Sequence, residues 1–207
     1  MLKKLQIALI TTTVLISQAN SSSLDRYSEE NVGRLILKYA NKYNIEPKIF
    51  FTLINIESAF NPFAIAVETN RQSAFMLKKL NSDDIKIKIG RTYHSKIWLV
   101  SIFPKSESDA IFMVKLLKKL HFTFDVGLLQ VNTCNFNTQE SAYMLYPENN
   151  IAKGAKIFNS CTKLFKSFKN QVECYNRGAG NLKKALRKGK NYAPYFYQFN
   201  KKYNQEF

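Results

Sequence analysis

Histidine is nearly missing from this chain, with two residues, His94 and His121, among 207. Both fall in segments that read as loops. Neither has ligating neighbours and the three cysteines match no zinc spacing, which excludes a metal centre built on imidazole or thiolate. Acidic residues are scarce too: 15 Asp and Glu face 31 Lys and Arg, a formal net charge of +16. That surplus points to an anionic partner. The candidates are nucleic acid, an anionic membrane surface or a carboxylate-bearing cell-wall polymer, beside a basic surface kept only for solubility. The seven glycines and five prolines form no low-complexity linker and no internal repeat is present, so one globular unit is expected. A long apolar run is lacking as well. The charge-free stretch from Leu5 to Ile16 is shorter than the roughly 20 residues a spanning helix needs.

That stretch follows Lys3 and Lys4 and precedes Ser17-Gln18-Ala19, the pattern of a cleaved export signal over residues 1–19. Its removal deletes two lysines and no acid, taking the charge from +16 to +14. Export makes nucleic acid an unsuitable partner and leaves no membrane span after cleavage. An oxidising compartment permits one disulfide among Cys134, Cys161 and Cys174 with one thiol left over; buried free thiols are the other reading.

Helical spacing of Val32, Leu35, Ile36, Tyr39, Ala40 and Tyr43 predicts an amphipathic helix over 26–43, capped by Ser28. A second begins near Pro47, with Phe50, Leu53, Glu57 and Phe60 on one stripe before Asn61-Pro62 stops it. Residues 84–103 are rich in β-branched and aromatic side chains and broken around Gly90-Arg91, which predicts a β-hairpin. Further helices are expected over 106–120, with Ser106 or Ser108 as cap, and over 125–132, 149–166 and 170–188, before an aromatic segment at 192–203. The fold class is mainly α.

Glu57 is the anomaly, a carboxylate on an otherwise apolar stripe. Downstream, "GLLQVN" (127–132) joins a glycine that permits close backbone approach to two amides, Gln130 and Asn132, of the kind hydroxyl-rich ligands require. "CYNRGAGNL" (174–182) adds a phenol, an amide and a Gly-rich turn. In this order, "ESAFNP", "GLLQVN" and "YNRGAGN" resemble the motifs of lytic transglycosylases of the soluble-lytic-transglycosylase type, which have a goose-lysozyme-like, α+β fold. The resemblance covers roughly residues 30–203. "NPFAIAV" (61–67), "SESDAIFMVKLLKKLHFTFDVGLLQVN" (106–132) and "PENNIAKGAKIF" (147–158) look most like the VirB1 branch, which serves type IV secretion and conjugation machines.

The resemblance implies a periplasmic enzyme that acts on peptidoglycan glycan strands without cofactor or metal, with secretion subunits as possible partners. Glu57 matches the family's catalytic glutamate. Burial disfavours its charged form, so its pKa is expected to rise towards about 6–7, where it can protonate a glycosidic oxygen. The same group, then a carboxylate, takes the proton of the sugar's own 6-hydroxyl as a 1,6-anhydro ring closes. Tyr175 matches the tyrosine that hydrogen-bonds the glutamate. Ser58, Gln130, Asn132 and Asn176 match sugar- or glutamate-contacting positions, and Tyr195, with Tyr192 in reserve, matches a terminal tyrosine motif. Most glycosidases need a second carboxylate. None stands in a matching motif here: Asp125 reads as a helix cap and Glu68 has no supporting context. Cys174 and Arg177 stand where small residues are common in the family, and Arg177 would bind a stem carboxylate or point to solvent.

The link over 68–120 is longer than in simple members. Its helix is expected to pack on the main helical body and its hairpin to stand beside the glycan groove, with Lys86, Lys88, Arg91 and Lys96 towards stem carboxylates.

Overall fold

The structure, a computed structural model, describes residues 25–92 and 96–205. The expected export signal and His94 lie outside the described residues. In chain order the elements are α1 (Glu29–Tyr43), α2 (Pro47–Ser58), β1 (Ile65–Thr69), α3 (Arg71–Lys78), β2 (Ile85–Arg91), β3 (Trp98–Pro104) and α4 (Glu107–Lys119). Then come β4 (Asp125–Val126), β5 (Val131–Asn132), three 3₁₀ turns, α5 (Pro147–Leu164), α6 (Phe168–Arg177), α7 (Ala179–Arg187) and α8 (Pro194–Tyr203).

Local chemistry sets most of the boundaries. Ser28 accepts from the Asn31 N–H at 3.2 Å to start α1, and Asn44 at φ 51° ends it. Ser106 does the same for α4 through the Asp109 N–H at 3.2 Å. Pro47 opens α2, where its missing N–H costs nothing. Ala59 and Phe60, both left-handed at φ 50° and 61°, close α2 after Ser58, so Phe60 lies beyond the stripe on which it was expected. The helix expected over 170–188 is two, because Gly178 at φ 76° takes a turn that L side chains rarely adopt.

Helices α1, α2, α5, α6 and α8 enclose one apolar cluster that includes Ile36, Phe50, Leu53, Leu129, Ile151, Phe158 and Phe199. The disulfide Cys161–Cys174 ties α5 to α6, while Cys134 is free and exposed. Closing so short a loop stabilises by about 3 kcal/mol in the chain-entropy account.

The predicted hairpin belongs to a larger sheet. Strands β2 and β3 pair antiparallel from Ile85↔Pro104 to Arg91↔Trp98, and the full order is β2-β3-β1-β4-β5. Gly90-Arg91 therefore continues the strand instead of breaking it. Helix α4 does not sit on the helical body as expected. Its Ala110, Met113, Val114 and Leu117 join Ala74 and Leu77 of α3 over Ile65, Val67, Ile85, Ile87, Val100 and Ile102. The sheet offers an apolar face, and both helices cover it.

The predicted helix at 125–132 is a two-stranded turn. Gly127 at φ 78° and Gln130 at φ 42° are both left-handed, a geometry no helix sustains. Asp125 is thus a strand residue, paired with Ala66 and Asn132, and caps nothing.

Candidate active site

Glu57 stands in the last turn of α2, where the negative end of the helix dipole adds to the penalty on a carboxylate. It keeps an opening to solvent, as a group that meets substrate must, yet its surroundings are dry enough to set its acidity. Burial is the largest cause that raises its pKa from 4.5 to about 7; nearby Asp125 pushes the same way, and a hydrogen bond from Tyr195 opposes both.

The hydrogen bond expected from Tyr175 comes from Tyr195. The Tyr195 hydroxyl donates to Glu57 Oε1, whereas the Tyr175 hydroxyl donates to the Leu129 carbonyl at 2.7 Å. Tyr175 remains close enough that the charge of Glu57 helps to hold its own pKa up, after burial. The helix that presents Tyr195 is anchored by a residue the sequence did not flag. Glu173, 1% exposed, accepts from the Phe196 N–H at 2.8 Å and faces Arg177 Nη1 at 3.6 Å. Arg177 also donates to the Tyr192 carbonyl at 3.2 Å, so it is occupied by its own helix and the α8 entry.

The other expected residues divide. Gln130 donates to the carbonyls of Ala64 and Gly127 at 2.9 and 2.8 Å, pinning the turn to the residue just before β1. Asn132 donates to Asp125 Oδ1 at 2.8 Å. Ser58, 8% exposed, turns its hydroxyl back to the Ile54 carbonyl at 3.2 Å. Asn176 is exposed on α6 and Tyr192 is exposed beyond α7.

Two residues of α5 hold the turn, and both were missed. Fully buried Asn150 accepts from the Leu129 N–H at 2.7 Å and donates to the carbonyls of Val126 and Met144 at 2.8 and 2.9 Å. A Cβ on Gly127 would lie 2.3 Å from Asn150 Nδ2, so only glycine fits. A Cβ on Gly154 would lie 2.4 Å from Leu129 Cδ1 and 3.1 Å from the Tyr175 hydroxyl, and its absence lets those two meet. The signal for Asn150 was present: it shares an apolar stripe with Ile151, Ala155 and Phe158, the anomaly that marked Glu57.

Asp125 is the second carboxylate. Its pKa is raised from 3.8 to about 6, first by burial, while the Asn132 hydrogen bond opposes and the charge of Glu68 adds. Among the described residues no group of His, Cys, Asp and Glu is placed to hold a metal, and no helix is long and apolar enough to cross a membrane.

Removing the Tyr195 hydroxyl while keeping its ring tests the arrangement. Tyr195→Phe is expected to slow cleavage by about 10- to 100-fold, the equivalent of about 1–3 kcal/mol for a lost partner of a buried group. It should also move the alkaline limb of the pH–rate profile upwards, because the bond that lowers the Glu57 pKa is gone. Tyr175→Phe should instead lower the melting temperature and leave that limb in place. Identical pH profiles for both variants would remove the assignment.

A half-buried carboxylic acid that still holds a proton near neutrality, in a lysozyme-like frame, equips an enzyme that cuts glycosidic bonds by general acid catalysis. A family model described as "Transglycosylase SLT domain" matches residues 34–198, most of the chain. The chain belongs to that family and is a peptidoglycan lytic transglycosylase. No curated protein and no solved structure matches it.

Proposed function

We propose that the enzyme cuts the β-1,4 bond between N-acetylmuramic acid and N-acetylglucosamine without water, leaving 1,6-anhydro ends. We assign it to the periplasm, opening the wall for a type IV secretion or conjugation apparatus. The observation that carries the chemistry is Glu57, protonated near pH 7 and aimed by Tyr195. The protonated carboxyl gives its proton to the glycosidic oxygen as the bond to the anomeric carbon breaks. The carboxylate so formed takes the proton of the 6-hydroxyl, whose oxygen closes on that carbon. One group serves both transfers, and no water is consumed.

Asp125 supports a second reading. An anion there, present above about pH 6, offsets the positive charge that develops at the anomeric carbon in either ring closure or hydrolysis. A hydrolytic muramidase would use the same pair with water as the nucleophile. Mass spectrometry of digested sacculi separates the two. The transglycosylase reading expects anhydro ends, lighter by one water, and reducing ends throughout would overturn it. The rate should rise as Asp125 ionises through about pH 6 and fall as Glu57 loses its proton through about pH 7.

The secretion role rests on the VirB1-like strings and on the export pattern of residues 1–19. Cell fractionation and N-terminal sequencing of the mature protein test the export half, with Asn20 as the expected first residue.

A further inference from the structure

The sheet has one covered face and one open face, and the register across its five strands is fixed. Helices α3 and α4 cover Ile65, Val67, Val100 and Ile102. On the other face Lys88 stands opposite Ser101, Ser101 opposite Ala66, Ala66 opposite Asp125 and Asp125 opposite Asn132. Residues directly opposite in antiparallel strands point to the same face, so these five form a single row across the sheet. Neighbouring strands lie about 4.8 Å apart, which places Lys88 about 15 Å from Asp125. The row begins at the catalytic site and ends in the segment inserted between the family motifs.

Its profile is that of a trough. Ser101 and Ala66 are small and form the floor. Leu99 and Glu68, opposite one another, stand along one side, and Phe103, opposite Lys86, stands along the other. Leu99 is 37% exposed, and Lys88 Nζ lies 5.6 Å from the Phe103 ring centroid. Both Lys86 and Lys88 are exposed. Arg91 belongs to the opposite face, where it stacks on Trp98 at 5.4 Å, and exposed Lys96 lies in the connection before β3, so two of the four expected cations define this end.

We propose that this open face extends the glycan-binding groove, with the sugars on one side of the cleaved bond lying across the strands and a peptide-stem carboxylate meeting Lys86 and Lys88. Continuity with Asp125 and Asn132 argues for the sugar strand, and the two lysines at the far end argue for its anionic stems. The inference rests on the peptidoglycan reading above but not on how the bond is broken. It makes the inserted segment a device that favours stem-bearing strands over denuded or short ones.

Binding separates this proposal from the chemistry. In a Glu57→Gln background, which binds without turnover, Lys86→Glu/Lys88→Glu should weaken pelleting with intact sacculi about tenfold at low salt, the sum of two exposed ion pairs lost and reversed. Binding to glycan strands freed of their peptides by an amidase, immobilised on a support because strands without cross-links no longer pellet, should be unchanged, and the loss on intact sacculi should shrink at high salt. A Ser101→Trp variant, which fills the trough, should weaken binding to both. Thermal melts show that each variant is folded. Equal loss on intact sacculi and on the peptide-free strands, or no loss on either, overturns the stem contact. Undiminished binding by folded Ser101→Trp overturns the trough. Reducing product ends from the parent enzyme would sink the ring-closure reading alone, since these binding differences do not depend on it.

Discussion

Glu57→Gln is expected to abolish wall cleavage while the protein still folds and binds sacculi. The amide preserves shape but has no proton to give, and loss of a general acid typically costs about 10²–10⁴ in rate. The loss should reach or exceed the upper figure, because the same group acts in both proton transfers. Turnover near that of the parent would remove Glu57 from the mechanism. The substitution has a second consequence, with opposite sign. The pKa of Glu57 is about 7 in the folded protein against 4.5 as its ordinary value, so between these pH values the native state holds a proton that the unfolded state has released. Folding stability contributed by this group is complete below about pH 4.5 and is lost as pH rises through about 7. At about 1.36 kcal/mol per pKa unit the difference is of the order of 3 kcal/mol. Asp125 titrates in the same direction from 3.8 to about 6. Glu57→Gln should therefore unfold at higher denaturant than the parent at pH 8 and show less advantage at pH 4. A parent whose stability did not fall over that interval would contradict the dry setting assigned to Glu57.

Asn150→Ala is expected to be the most destabilising single change near the site. It strips hydrogen-bond partners from the Leu129 N–H and from the carbonyls of Val126 and Met144, all at a position with no exposure. Each unmet buried group costs about 1–3 kcal/mol, and together they approach a large share of the 5–15 kcal/mol typical of a whole domain. Asn150→Asp provides the contrast. It keeps the acceptor for Leu129 N–H but turns an oxygen towards two carbonyl oxygens, so it should not rescue. Urea unfolding measures both, and a loss under about 1 kcal/mol for the alanine variant would show that the turn holds itself.

The elements that were legible in the sequence are those whose cause is local. Ser28, Pro47 and Ser106 mark helix starts by satisfying or lacking an N–H, and the structure uses all three. Glu57 was legible because a carboxylate on an apolar stripe needs a reason. What escaped depends on contacts between distant segments. Residues 125–132 carry apolar side chains at intervals that suit a helix, and only Asn150, reaching in from α5, together with the left-handed Gly127 and Gln130, shows that the chain turns back. Strand β1 was invisible because "IAVET" gains its order from β3 and β4 on either side. The donor to Glu57 was misassigned for a similar reason. Both tyrosines are near enough, and Tyr195 provides the bond because Glu173 fixes the first turn of α8 while Tyr175 is committed to Leu129.

The bridge between α5 and α6 also bears on how three thiols sort themselves during folding. Cys161 and Cys174 are 13 residues apart, and Cys134 lies about twice as far from Cys161. Doubling a loop adds only about 0.6 kcal/mol to its closure, so chain statistics alone would leave a sizeable fraction of mispaired molecules. Geometry makes the rest of the selection. Cys161 and Cys174 are 3% and 1% exposed, brought together only once α6 has packed on α5, whereas Cys134 stays at the surface. Oxidation before the helices dock would draw on all three thiols nearly alike, and oxidation afterwards on the native pair. The order of packing and oxidation thus decides whether the surface thiol ends up spare or as half of a misfolded product.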